Sequence, residues 1–121
     1  MNQIELKNRT KSFAIRIINL YRGLPKAEES RIIGKQILRS GTSVAANYRA
    51  VCRARSHADF IAKMSIVVEE MDETLFWMEI LIDAKIISSA KLTNLQKEAD
   101  ELMAIFAASL QTAKQNSKKF K

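Results

Sequence analysis

A chain of 121 residues with 47% apolar side chains has material for one domain around one core, and no second domain is expected. Three glycines and one proline favour helices over a strand-and-turn architecture. The formal charge of +7 leaves room for a polyanionic partner, and the single cysteine, Cys52, excludes an intramolecular disulfide and fits a reducing compartment. The first residues, MNQIELKNRTK, have no apolar signal core. No later run approaches the roughly 20 apolar residues that span a bilayer, so a soluble, cytoplasmic protein is expected.

The first helix is predicted over about 4–22, with Leu6, Phe13, Ile17, Leu20, Tyr21 and Leu24 on its core face. Ile15 and Ile18 widen that apolar arc beyond what one bundle needs, and the surplus suits a second subunit. Gly23 fits the left-handed position after a helix, and Pro25 cannot continue one, so the chain turns back at Gly23-Leu24-Pro25.

The second helix is predicted over about 27–53, with Glu28 and Glu29 in its first turn, where carboxylates suit the macrodipole. Ile33, Ile37, Ser40, Gly41, Val44, Ala45, Tyr48 and Cys52 recur at three- and four-residue steps and form the buried seam. The small residues from Ser40 to Ala46 permit close approach of a neighbour, which must offset the roughly 1 kcal/mol that glycine costs a helix relative to alanine. Arg31, Lys35, Arg39, Thr42, Ala46, Arg49 and Arg53 follow the same steps on a separate line, a basic ridge.

Ser56 with Asp59 three residues on is a capping-box variant, so the third helix is expected at about 57–84 after a very short link. Phe60, Met64, Val67, Met71, Leu75, Met78 and Ile82 form its seam. Glu69, Asp72, Phe76, Glu79 and Asp83 form an acidic stripe that matches the basic ridge in length and can face it within or between subunits. Ser88 or Ser89 caps the last helix, expected over about 90–114, with Leu92, Leu95, Ala99, Leu102, Phe106, Ser109 and Ala113 inward. The basic tail 115–121 is expected to fray. Four helices of similar length on short links give an all-α, antiparallel up-down-up-down four-helix bundle.

The charge is unevenly spread. Residues 1–55 hold 12 Lys+Arg against 3 Asp+Glu, residues 56–112 hold 4 against 10, and residues 113–121 hold 4 cations and no acid. Arg31, Lys35, Arg39, Arg49, Arg53 and Arg55 are the candidate nucleic-acid contacts, because forked guanidinium donors match phosphate oxygens. For each arginine the competing reading is an ion pair with Glu70, Glu73 or the acidic stripe. Ser43 and Asn47 sit beside the seam; a ligand contact is one reading, and the expected one is that they hydrogen-bond across the helix interface, satisfying each other or backbone carbonyls. Trp77 is expected as a core or interface anchor.

Catalytic chemistry finds little support. The only histidine, His57, lies outside any Glu-x-x-His, so the carboxylates of the third helix lack the partner a di-metal bundle needs. Phosphate loops, paired cysteines and nucleophile elbows are absent from the sequence. No catalytic role, metal or cofactor is expected.

Three segments carry a resemblance: QILRSGTSVAANYR (Gln36–Arg49), ARSHADFIAK (Ala54–Lys63) and EMDETLFWMEIL (Glu70–Leu81). Together they resemble the bacterial four-helix-bundle family that includes the 23S ribosomal RNA intervening-sequence proteins and the accessory variability determinants of diversity-generating retroelements. The likeness spans Phe13 to about Phe106. It implies a homo-oligomeric ring, a pentameric barrel of bundles, whose basic surface engages RNA or a nucleic-acid-handling protein; the charge pattern alone admits DNA as well. The chain departs from the family pattern at Ala50, where an acidic residue is usual. Two functions follow: a non-catalytic accessory protein that binds structured RNA or other nucleic acid, or a scaffold whose charge stripes close the subunit ring around a protein partner.

Overall fold

The computed structural model describes residues 1–119, and four helices account for nearly all of them: α1 (Gln3–Gly23), α2 (Glu28–Val51), α3 (His57–Asp83) and α4 (Ser89–Lys119). No strand occurs among the described residues. Each helix packs on its neighbour in sequence, and α4 returns to α1 along a thinner seam. This is the expected antiparallel four-helix bundle. Short links leave consecutive helices no other arrangement.

Local chemistry sets the ends. The Asn2 side chain accepts from the Glu5 backbone N–H at 2.8 Å and donates to Glu5 Oε1 at 3.2 Å, a reciprocal cap that starts α1. Gly23 is the last residue of α1 and does not have positive φ, contrary to the expected left-handed cap. Pro25 supplies the reason: it forces the preceding Leu24 into extended backbone (φ −69°, ψ 152°), and that residue ends the helix unaided. The left-handed position lies instead at Lys85 (φ 59°) after α3. There the Lys85 N–H reaches the Ile82 carbonyl and the Ile86 N–H reaches that of Leu81, a Schellman stop with lysine where glycine is usual.

α2 stops at Val51, two residues short of the expected end. Arg53 and Ala54 donate to the carbonyls three residues back, so the chain tightens into a turn before Ser56 caps α3 by accepting from Asp59 N at 3.0 Å. α4 is longer than expected. Its helix continues through Lys119, so residues 115–119 of the supposed tail are helical, and Phe120 and Lys121 lie outside the described residues.

Phe13, Ile17, Ile37, Val44, Met71, Met78, Leu102 and Phe106 are all fully buried, each contributing on the order of 1.5–3 kcal/mol in transfer from water. The seam of α3 differs from the expected one after Met71: Thr74 and Leu81 are fully buried, whereas Leu75 and Ile82 flank the core. An apolar repeat passes over a threonine and takes its apolar neighbour Leu75 instead. Thr74 is accommodated because its hydroxyl lies 2.7 Å from the Glu70 carbonyl and 2.9 Å from Ser40 Oγ, joining α3 to α2. Asn47, by contrast, bonds within its own helix, to the Ser43 carbonyl at 2.8 Å.

α1 and α2 meet at their closest through glycine. A Cβ on Gly41 would fall 2.7 Å from Ile17 Cγ1, and one on Gly34 would fall 2.9 Å from Leu24 Cδ1. The thinner α1–α4 seam is held by Arg9, whose guanidinium grips Glu98 through Nε at 3.0 Å and Nη2 at 2.5 Å and also reaches Glu101 at 3.2 Å.

Candidate nucleic-acid interface

The antiparallel topology brings the start of α1, the end of α2 and the start of α3 to one end of the bundle. The basic ridge of α2 therefore divides into parts with different surroundings. Arg31 and Lys35 are exposed near the opposite end and form no ion pair among the described residues. Arg31 lies beside Tyr21, Arg22 and Lys26. Arg39, at mid-height, is committed to α3: Nη1 lies 3.2 Å from Glu70 Oε2, and Nη2 pairs with Glu73. The ion-pair reading therefore holds for Arg39, and it leaves the candidate interface. Its partners are not the acidic stripe, since Glu69, Asp72, Glu79 and Asp83 point to solvent.

Arg49, Arg53 and Arg55 come together. With Lys63 of α3 they line a groove of about 730 Å³ between α2 and α3, together with Ala46, Ala50, Ser56 and Asp59. The turn after Val51 matters here, because it carries Arg53 and Arg55 off the helix and around the groove mouth. All three arginines are exposed, and none is ion-paired among the described residues. Ala50 also lines the groove, where an acidic side chain would bring a carboxylate to the same surface as the three arginines.

Asp59 is the one acid in the groove, and its charge is already engaged. Lys63 Nζ donates to its Oδ2 at 2.8 Å and the Arg55 backbone N–H donates at 3.1 Å. The Lys63 hydrogen bond foremost, then that of Arg55, holds the Asp59 carboxyl below its ordinary 3.8. Behind the groove wall, Tyr48 packs against Phe106 with ring centroids 5.4 Å apart. Burial, followed by the neighbouring Cys52, raises its phenol above the ordinary 10.0, so Tyr48 adds no negative charge. With its one acid paired to Lys63, the groove keeps three arginines, unpaired among the described residues, around a concave surface, the arrangement that attracts and holds phosphate oxygens.

Lys63 was missed from sequence because its place in the groove depends on how α2 and α3 align. The signal available was its four-residue spacing from Asp59. The remaining singled-out residues are structural. Cys52 is half-buried against the core, His57 Nε2 lies 2.8 Å from the Ala113 carbonyl where α3 meets α4, and half-buried Trp77 packs edge-on to exposed Phe76. Among the described residues no three His, Cys, Asp or Glu side chains group as metal ligands would, and no helix is long and apolar enough to cross a membrane.

Residues 2–108 match the family described as 23S rRNA-intervening sequence protein. The chain belongs to that family. A solved structure from Bacteroides thetaiotaomicron, described as a protein with unknown function from the S23 ribosomal protein family, is similar at 35% identity and a TM-score of 0.84. The similarity covers 92% of this chain and 99% of that one, so the bundle is shared from end to end. No curated protein matches the chain. The match carries family and fold; the residues that line the groove are read from this chain alone.

Proposed function

We propose that this intervening-sequence family protein is a non-catalytic accessory protein that binds structured RNA or another nucleic acid through phosphate contacts at the α2–α3 groove. One observation carries the reading: Arg49, Arg53 and Arg55 converge without ion-paired partners among the described residues on a groove whose single acid is taken by Lys63. Ion pairing had been the competing explanation for each of these arginines, and among the described residues it accounts only for Arg39. The family name supports RNA as the nucleic acid.

The test is equilibrium binding of a structured RNA to the full chain and to an Arg53→Gln/Arg55→Gln variant. Both side chains are exposed, so the fold is retained while two phosphate contacts are lost. Each lost contact reduces the steepness of the log–log salt dependence by about 0.7–0.9. Unchanged affinity and salt dependence in the variant would remove the groove from the account.

Self-assembly is a second reading, and a separate observation favours it. α1 exposes Ile4 and Ile15 among cations, while α3 exposes Ile66 and Phe76 among Glu69, Asp72 and Glu79. Faces of opposite charge with apolar centres suit contact between copies, consistent with a homo-oligomeric ring. Sedimentation equilibrium of the protein and of Phe76→Glu decides it: the account expects an assembly that the substitution dissociates, and a wild-type monomer would contradict it.

A further inference from the structure

A second concave surface lies on the opposite flank of α2 from the arginine groove. Lys7, Lys11 and their neighbours Asn8 and Thr10 on α1 face Ala45, Ala46 and Arg49 on α2 across a groove of about 370 Å³. It contains three cations and no acid. The Thr10 hydroxyl is occupied, 2.9 Å from the Leu6 carbonyl, so the lysines, Arg49 and the exposed Asn8 amide are the groups free to meet a ligand, and the charge among them is all positive. Lys7 and Lys11 are exposed, one turn apart, and unpaired among the described residues.

The two grooves share Ala46 and Arg49. Ala46 is exposed, and its methyl group is the lowest possible barrier on the crest of α2 short of glycine. Arg49 stands beside it and faces both sides. A polyanion entering along Lys63 and Arg53 meets no obstacle at Ala46 before it reaches Lys11 and Lys7. A cation is within reach on either side of the crossing.

What the grooves lack defines the ligand further. Neither is lined by an aromatic residue, so there is no platform for the stacking that holds single strands. Phe76, the exposed aromatic of α3, lies 13 residues beyond Lys63, roughly 20 Å along the helix. A double helix needs no such platform. Its bases stay stacked, and it presents phosphates in a fixed array to cations whose backbone is held by three helices and the short α2–α3 turn, which lowers the ordering cost of binding.

We propose that the two grooves form one track, crossing α2 over Ala46, for the phosphodiester backbone of a nucleic-acid duplex, with Lys7 and Lys11 of α1 as contacts on its far side. This rests on the nucleic-acid reading above and narrows it to duplex backbone, without base readout.

The experiment measures fluorescence anisotropy of an RNA duplex, a DNA duplex of the same sequence and their separated strands across a salt series. It uses the full chain and three variants: Lys7→Gln/Lys11→Gln, Ala46→Leu and Arg53→Gln/Arg55→Gln. The track predicts that duplexes bind more tightly than strands and that the lysine variant loses nearly two units of log–log salt slope, about 0.9 for each contact. It also predicts that Ala46→Leu, an uncharged change to another good helix former, weakens duplex binding. The duplex of higher affinity is the one the track serves. Wild-type affinity and slope in the lysine variant, with weakened binding in the arginine variant, would overturn the track and leave the nucleic-acid reading in place. Tighter binding of single strands would overturn the duplex assignment. If the arginine variant too binds as wild type, both readings fall.

Discussion

Gly41→Ala offers a demanding test of the fold, because local and tertiary effects oppose each other. In an isolated helix the change would be favourable by about 1 kcal/mol. In the bundle the new methyl group would lie 2.7 Å from Ile17 Cγ1, 2.9 Å from Cγ2 and 3.2 Å from Cβ, well inside ordinary carbon contact. Ile17 has little freedom to retreat: it is β-branched, fully buried, and touched close to its own backbone. The helices themselves must separate, at the expense of the core contacts either side of the crossing. Overpacking costs typically about 1–3 kcal/mol, and contact with the stiff base of a side chain places this case near the top of that range. Subtracting the propensity gain leaves a net loss of about 2 kcal/mol. Urea unfolding followed by far-UV circular dichroism at one protein concentration measures it. Gly23→Ala serves as the control, since nothing lies within 4 Å of its added methyl and no loss is expected. Pairing Gly41→Ala with Ile17→Ala should give a smaller total loss than the sum of the singles, a coupling that a double-mutant cycle detects. A Gly41→Ala protein as stable as wild type would refute the close-approach argument.

Lys85→Gly should stabilise the protein by about 0.5–1 kcal/mol in the same assay, because glycine adopts the left-handed backbone at φ 59° without the strain a side chain brings. Thr74→Val, nearly equal in shape, should lose about 0.5–1.5 kcal/mol, because the hydrogen bond that joins α3 to α2 is lost while the buried Ser40 hydroxyl keeps its bond to the Ile37 carbonyl at 3.3 Å. The Asp59 carboxyl should titrate below 3.8 by NMR, and Lys63→Met should move its midpoint upward. Since the folded value is depressed, the contribution of this contact is present above the unfolded value near 3.8 and is lost as pH falls through the lower folded value. A midpoint unchanged by Lys63→Met would show that the Lys63 bond is not the leading cause.

The architecture was legible because burial imposes a period on the chain. The three- and four-residue steps from Phe13 to Ile17, Ile37 to Val44 and Leu92 to Phe106 mark the faces that are now buried. The Gly23-Leu24-Pro25 turn also stands where expected, although proline, and not a left-handed glycine, causes it. Thr74 was missed because its polarity hides it from an apolar pattern. Only its hydroxyl's two neighbours, one on another helix, explain its burial.

The candidate interface was legible only in part, and for a related reason. Spacing along α2 places Arg39 and Arg49 on one line but is blind to the carboxylates opposite them. The alignment of α3 gives Glu70 and Glu73 to Arg39 and leaves Arg49 unpaired among the described residues. Lys7 and Lys11 meet Ala46 and Arg49 across a gap of some forty residues in sequence, a relation no local repeat contains. Interfaces between helices were thus the least accessible feature, and the grooves are built from them.

The most direct test of the account is the salt dependence of structured-RNA binding by the full chain. Phosphate contact through the three arginines of the α2–α3 groove predicts affinity that falls linearly in log–log form, with a slope of about −2 to −3 for these three contacts and steeper by up to about 2 where Lys7 and Lys11 add theirs. Absent binding, or affinity indifferent to salt, would contradict the assignment of this surface to nucleic acid.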